Sequence, residues 1–283
     1  MELLTYLIAG LAVGASYALV GSGIVLVHRI TGIVNFAQGT LAVLGGLLSG
    51  SLLRAGLPHG VGEIAAILLT GVFGLAVGAI TLARKSITSL NALVVTLAIS
   101  ILGYAVIILI WGDGSFSAPG LKGSVTILGA TVQLQYFIVI AAAAVTLGLL
   151  SLFFAKTYLG KAMTACAVNP FAARMVGINV RAMGMLAFFG AGLLGGIAGA
   201  ILTPLREVSY SSDISFALYG FAAAVFGGLN SPIKTVIGGL ILGVVSLLVA
   251  GYLDAAYQIV AALAIMLIVM IFQSGSHRLE EAK

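Results

Sequence analysis

Residues 156–181 read KTYLGKAMTACAVNPFAARMVGINVR and form the longest charged interruption in an otherwise apolar chain. Within this segment, Asn169 followed by Pro170 predicts a helix start, because Asn caps free backbone N–H groups and Pro at the first helical position loses only an unpaired N–H. Gly177 predicts the end of that helix, since glycine adopts a left-handed conformation without steric cost.

The short helix predicted after Asn169 carries an apolar face. Phe171 and Met175 lie four residues apart and therefore on one side, with Val176 beside them. A helix this short needs a surface to pack on. Two interpretations stand: the helix packs on the ends of its own membrane helices, or it docks on a cytosolic partner protein.

The composition excludes a soluble domain, because 61% of the residues are hydrophobic and 7% are charged, with a mean hydropathy of +1.23. Apolar segments of roughly 20 residues recur without the alternation of barrel strands, which predicts an all-α, polytopic transmembrane bundle. Glu2 and the lack of a basic leader indicate that the first segment is retained as a helix. Cys166 is the only cysteine, so no intrachain disulfide forms.

We predict a single transmembrane domain over residues 1–283, with about eight full spans and one short element. The short element, 214–229, is too short to cross a core of ~30 Å and is predicted to be re-entrant or tilted. The full spans are predicted at 3–27, 39–53, 63–83, 87–111, 134–155, 182–204, 233–251 and 255–272.

Lys and Arg set the predicted orientation, since cytoplasmic loops carry the basic excess. With the N-terminus outside and the C-terminus in the cytoplasm, ten basic residues lie inside and only Arg54, Lys122 and Arg206 lie outside. The segment 156–181 is then cytoplasmic. The same asymmetry explains the sequence pI of about 9.4 without a nucleic-acid partner.

Glycines recur at four-residue spacing, which lets helix backbones approach closely in lipid. The pairs are Gly10/Gly14, Gly74/Gly78, Gly192/Gly196, Gly195/Gly199 and Gly239/Gly243, and we interpret them as packing within one bundle. A weak internal sequence similarity joins AVLGGL at 42–47 and AVFGGL at 224–229. Transporters often carry such repeats in their two halves.

The sequence argues against an enzyme. Its three histidines lie at span ends or in the tail, which leaves no intramembrane nucleophilic or metal site. Gly160-Lys161 lacks the glycine and hydroxyl residue of a phosphate loop, so we expect no ATP hydrolysis and no cofactor on this chain. All acidic residues are predicted at or beyond span ends, which weakens an ion-coupled mechanism.

Uncharged polar and aromatic residues are the candidates for a translocation path. Asn35 alternatively caps the helix that follows, and the Thr and Ser hydroxyls alternatively bond the carbonyl oxygen four residues back. A path lined by such groups would suit a small solute with a substantial apolar part. The candidates are Asn35, Phe36, Gln38, Tyr17, Thr96 and Ser100.

Three motifs together resemble a known family. YALVGSGIVLVHRITGIVNFAQG at 17–39, GKAMTACAVNPFAARMVGINV at 160–180 and FAAAVFGGLNSPIKTVIGGLILG at 221–243 are similar to the smaller, H-type permease subunits of branched-chain amino acid ABC importers. The resemblance covers nearly the whole chain. It implies a multi-pass protein of the bacterial-type plasma (inner) membrane.

The resemblance also implies partners: a second permease in a heterodimer, two cytosolic ATP-binding subunits that hydrolyse ATP, and an extracytoplasmic solute-binding protein. Asn35, Phe36, Ala37 and Gly39 match an N-F-A-x-G segment near the path. The residues that match the loop contacting the ATPase are Gly160, Ala165, Asn169, Ala172, Gly177 and Ile178, to which the apolar face adds Pro170, Phe171 and Met175.

The solute is less closely defined. Gln38 stands where the family carries His, and Val27-His28-Arg29 stands where a Tyr-Gly type pair is commoner. The function expected is a permease for branched-chain or other hydrophobic amino acids. Alternatives are a permease for urea, short amides or sugars, and a stand-alone ion-coupled secondary transporter.

The orientation gives a direct prediction. A cysteine replacing Ser117 should react with a membrane-impermeant maleimide from outside, and a cysteine replacing Ser276 only after permeabilisation. The reverse labelling pattern would overturn the assignment of both sides.

Overall fold

The computed structural model describes residues 2–83, 88–118, 120, 123–127 and 130–280. Arg84, Lys85, Lys122 and Lys283, which contributed to the predicted orientation, lie outside the described residues. Eleven α-helices, a short 3-10 turn and one β-hairpin make up this part of the chain.

The first half of the chain contains α1 to α4 and the hairpin. Their bounds are α1 Glu2–Thr31, α2 Gln38–Arg54, α3 Val61–Thr81, α4 Ser89–Trp111, β1 Ser124–Ile127 and β2 Ala130–Gln133. The second half contains α5 to α11 and the 3-10 turn. Their bounds are α5 Leu134–Lys156, α6 Tyr158–Val168, α7 Pro170–Met175, α8 Val180–Leu202, α9 Ser212–Phe226, α10 Pro232–Tyr252, the turn Ala255–Tyr257 and α11 Gln258–Glu280.

The predicted helical bundle is confirmed, but the count of eight full spans is not. Among the described residues, seven helical segments are long and apolar enough to cross a membrane. The second predicted span, α2, has 17 residues and is about 25 Å long, shorter than a bilayer core of ~30 Å. The chain turns at Gly32, where φ is +71°, and runs back without helix before α2 begins.

The predicted short element is present as α9, which has 15 residues. It ends three residues earlier than predicted, because Gly228 and Leu229 both adopt a positive φ, of 58° and 60°. The AVFGGL sequence therefore crosses the end of α9, whereas AVLGGL lies inside α2. The two hexapeptides therefore occupy different positions relative to the ends of their helices.

The hairpin in the segment 112–133 was not predicted, and it adds a two-stranded sheet to an otherwise helical fold. β1 and β2 are antiparallel, with Val125 opposite Val132. Phe116 forms an isolated bridge to Val208, with both N–H···O distances 2.8 Å. Arg54 lies 4.0 Å above the Phe116 ring. The segment is thus attached to the connection between α8 and α9.

The glycine pairs lie where helices touch, as predicted. A Cβ at Gly14 of α1 would lie 2.8 Å from the carbonyl oxygen of Gly239 in α10, and a Cβ at Gly239 would lie 2.6 Å from the Ala18 nitrogen. On α8, Gly192 faces α3, where a Cβ would lie 3.0 Å from the Gly71 Cα. Gly199, on another side of α8, faces the backbone of α2. α8 therefore packs between α2 and α3.

Substituting one contact glycine tests this packing. Gly14→Ala should lower the free energy of unfolding by ~1–3 kcal/mol, because the added methyl group has no space against α10. Gly148→Ala in α5 is the matched control, since nothing lies within 4 Å of a Cβ there. Denaturant unfolding in detergent micelles measures both, and equal stabilities would contradict the packing.

Candidate coupling surface and buried polar core

The segment 156–181 is built of two short helices after a break at Thr157. The Thr157 hydroxyl donates to the Phe153 carbonyl oxygen at 2.7 Å and accepts from the Gly160 N–H at 2.9 Å, which starts α6. A Cβ at Gly160 would lie 2.7 Å from the Phe154 Cα, so α6 folds back closely on α5. α6 was not predicted.

The helix predicted after Asn169 is present as α7. The Asn169 Oδ1 accepts from the N–H groups of Phe171 and Ala172, both at 3.0 Å, and Pro170 occupies the first turn. Gly177 has φ +84°, and the Ile178 N–H donates to the Ala173 carbonyl oxygen at 3.0 Å. The cap, the proline and the glycine stop are confirmed.

The apolar face of α7 is exposed in this chain. Phe171 is 70% exposed, Met175 75% and Val176 74%. The interpretation that this face packs on the ends of the chain's own membrane helices is therefore wrong. The opposite side supplies the anchor, where Ala173 is buried.

α6 is held against the membrane helices by buried Met163 and Cys166. Burial raises the pKa of the Cys166 thiol despite the nearby Arg174. The native thiol therefore forms little of the reactive thiolate, so introduced cysteines can be labelled with Cys166 in place.

The residues matching the coupling loop fall into two groups. Gly160, Asn169 and Gly177 fix the backbone, and Ala165 and Ile178 pack against the core. Ala172, together with Phe171 and Met175, is exposed. The first group positions α7, and the second group forms the surface available to a partner.

Asn35 and Gln38 lie together at the start of α2 and are both 0% exposed. The Asn35 Oδ1 accepts from the Ala37 N–H at 3.2 Å, while its Nδ2 donates to the Gln38 Oε1 at 3.3 Å. The N-cap position of α2 is Ala37, so Asn35 stabilises the turn before the helix rather than capping it. Gln38 also donates to the Ala191 carbonyl oxygen of α8 at 2.8 Å.

Two predicted hydroxyls attach α4 to the start of α2. The Thr96 hydroxyl accepts from the Phe36 N–H at 3.3 Å and donates to the Leu93 carbonyl oxygen at 3.0 Å. Ser100 and Thr40 share a hydrogen bond of 2.8 Å. The Thr96 hydroxyl thus bonds the carbonyl oxygen three residues back, rather than four as predicted, and also makes a contact between helices.

The aromatic candidates lie in two places. Phe36 is half-buried against Phe221, with ring centroids 5.6 Å apart. Tyr17 stacks on Tyr219 with centroids 4.3 Å apart and planes 5° from parallel. Tyr17 also lines a cavity of about 40 Å³ beside Arg206. The structure brings five of the six path candidates together around the start of α2, and Tyr17 belongs to a neighbouring aromatic cluster.

Sequence reasoning missed several residues of these clusters. Nothing in the sequence distinguishes Tyr219 within the short apolar element, and Thr40 falls inside the second predicted span. Asp213 was placed at the outer end of that element, yet it is 6% exposed, and its Oδ1 accepts from the Ile214 N–H at 2.6 Å. Within the described part of the chain, no group of three or more His, Cys, Asp and Glu residues could hold a metal ion.

A family model described as "Branched-chain amino acid transport system / permease component" matches residues 6–272. The chain belongs to this family. It is a multi-pass membrane protein, since it combines this match with seven apolar helical segments of membrane-spanning length.

Similar proteins carry related names. The high-affinity branched-chain amino acid transport system permease protein LivH of Salmonella typhimurium is 28% identical, over 93% of this chain and 91% of the relative. A probable LivH of Methanocaldococcus jannaschii is 30% identical, over 89% and 84%. The ribose import permease protein RbsC of Haemophilus influenzae is 25% identical, over 90% and 80%.

A solved structure shares the fold. PsaBC from Streptococcus pneumoniae in complex with Fab aligns with a TM-score of 0.53 and 17% identity, covering 94% of this chain and 90% of that chain. The relatives named above are described as permease proteins of transport or import systems.

The role of Asn35 can be tested by two substitutions. Asn35→Ser keeps an acceptor for the Ala37 N–H but loses the NH2 group that bonds Gln38, whereas Asn35→Ala loses both buried hydrogen bonds and should cost ~1–3 kcal/mol of stability. We expect both to reduce solute uptake by the reconstituted transporter while assembly is retained. Equal uptake by Asn35→Ser and wild type would restrict Asn35 to the turn.

Proposed function

We propose that this chain is the membrane permease subunit of an ATP-driven importer for branched-chain or other hydrophobic amino acids. It forms the translocation path with a second permease in a heterodimer, and two cytosolic ATP-binding subunits supply the energy. An extracytoplasmic solute-binding protein delivers the solute. The location is the plasma membrane, which is the inner membrane where there are two.

The observation that carries the proposal is the exposed apolar face of α7. Three large apolar side chains at 70–75% exposure are costly in water, so this face favours a protein partner. The caps at both ends of α7 hold the face in a fixed place, which is what a contact that transmits movement requires. A carrier working alone has no use for such a surface.

The solute class is supported by the branched-chain amino acid names of several relatives and by the neutral side chains around the start of α2. Sugars, urea and short amides remain the alternative solutes, and the ribose-named relative favours sugars among them. Uptake of labelled leucine with competing ribose or urea separates these cases.

The stand-alone ion-coupled transporter is favoured by one observation, the burial of Asp213. A titratable group inside the bundle suits proton coupling better than one at a span end. Leucine uptake by this chain alone, driven by a pH gradient and abolished in Asp213→Asn, would replace the present proposal. Co-isolation of an ATPase and a sister permease supports the importer.

Phe171→Ala is the variant that tests the coupling surface, the exposed face of α7 formed by Phe171, Met175 and Val176. Because Phe171 is 70% exposed, its removal should change the free energy of unfolding by no more than ~0.5 kcal/mol. Loss of a central apolar contact with the ATPase should cost about 2 kcal/mol, or roughly thirtyfold in affinity. Co-purification of the ATPase and ATP-driven uptake measure the loss.

The controls are Phe171→Leu, which keeps an apolar side chain, and Lys161→Ala, which changes an exposed residue on α6. Both should retain the ATPase and the uptake. If Phe171→Ala also retains both, α7 is not the coupling contact.

A further inference from the structure

A cavity of about 430 Å³ lies between α1, α5, α6 and α10, away from the polar core. Among the described residues that line this cavity, none is a predicted path residue. Its volume falls in the range of about 300–1,000 Å³ typical of small-molecule sites. Its walls are mostly aliphatic and aromatic, and it reaches the protein surface at Ile233 and Ile237, which are 75% and 50% exposed.

The cavity lies at one end of the bundle. It is lined by the last turns of α1 and α5, by the first two turns of α10 and by α6. This is the end that carries the segment 156–181, which the basic excess assigns to the cytoplasm. Ser22, seven residues before Arg29 on α1, lies about 10 Å deeper. The cavity therefore extends from the charged end toward the hydrocarbon.

Among the described residues that line this cavity, Arg29 is the only charged one. The side chain is half-buried, and no described residue gives it a hydrogen bond or an ion pair. Its neighbour His28, in contrast, lies 3.2 Å from the Leu229 carbonyl oxygen. A partly buried cation without a partner is costly, so the position favours an anion.

Further positive charge surrounds the mouth. Pro232 and Ile233 belong to the first turn of α10, where the helix dipole is positive, and Lys234 is exposed beside them. An anion at Arg29 would share the cavity with the first turn of α10. Apolar walls below an unpaired cation match a molecule with an anionic head and a hydrocarbon tail.

We propose that this cavity binds one anionic phospholipid of the cytoplasmic leaflet. The phosphate pairs with Arg29, and an acyl chain occupies the space between Phe154, Val236 and Leu26. Free phosphate would use the cation but leave the apolar walls empty. This site is distinct from the translocation path and does not depend on which solute is carried.

Native mass spectrometry of the purified full chain tests the proposal, with phosphatidylglycerol and phosphatidylcholine of equal chain length as probes. Wild type should retain one phosphatidylglycerol in preference to phosphatidylcholine. Arg29→Gln should weaken that binding about fivefold, while Arg29→Lys should largely keep it. Arg181→Gln is the matched control, since Arg181 is exposed on the same side of the bundle and does not line the cavity.

Ile233→Glu provides a second variant that should fold normally. The residue is exposed, and an acid in the first turn of a helix is favourable, yet it places a negative charge at the cavity mouth. Phosphatidylglycerol binding should fall, whereas Ile214→Glu, at another exposed isoleucine, should leave it unchanged.

Three outcomes would overturn the proposal. They are equal retention of both lipids by wild type, loss of phosphatidylglycerol on addition of inorganic phosphate alone, and loss of the lipid on assembly with the second permease. The second outcome would indicate a simple anion site, and the third a contact between permeases.

Discussion

Close approach of helix backbones is the constraint on which this fold depends. Lipid tails are as apolar as the side chains that replace them, so membrane helices gain little from the hydrophobic effect when they associate. Association depends instead on van der Waals contact, which is closest where a glycine removes the Cβ. Gly14 and Gly239 bring α1 against α10, and two sides of α8 bring α2 and α3 together.

A buried amide between helices at such distances is costly unless it is hydrogen-bonded, and the polar side chains at the start of α2 meet that requirement. Gln38 enters the bundle where Gly23 and Gly195 leave room for it, and its amide bonds the Ala191 carbonyl oxygen. Asn35 then satisfies both the turn and Gln38. The start of α2 is fixed by side chains, which allows this helix to be shorter than a full span.

Sequence reasoning was most successful where a residue acts locally. The helix at 170–175 follows from Asn169, Pro170 and Gly177, whose effects reach only a few residues along the chain. The long helices follow from composition. The hairpin after α4 could not be predicted in this way, because its attachment depends on Phe116 meeting Val208, about ninety residues away.

The candidate site was harder to predict, because burial depends on the partner helix. Asp213 is near one end of its helix in sequence but buried in the bundle. The exposure of Phe171 could not be predicted either. The apolar spacing on α7 is the same whether this face packs on its own chain or on a partner protein. Only the structure decides between those two interpretations.

The coupling surface and the polar core are joined by packed elements. α7 is anchored through Ala173, and Ile178 leads directly to Asn179, whose side chain caps α8 at the Ala182 N–H. α8 in turn supplies the carbonyl oxygen that holds Gln38. Because α8 is a continuous helix in contact with α2 and α3 through glycines, it cannot move without shifting the turn at Asn35. A displacement applied at Phe171 therefore has a rigid route to the residues proposed to line the path.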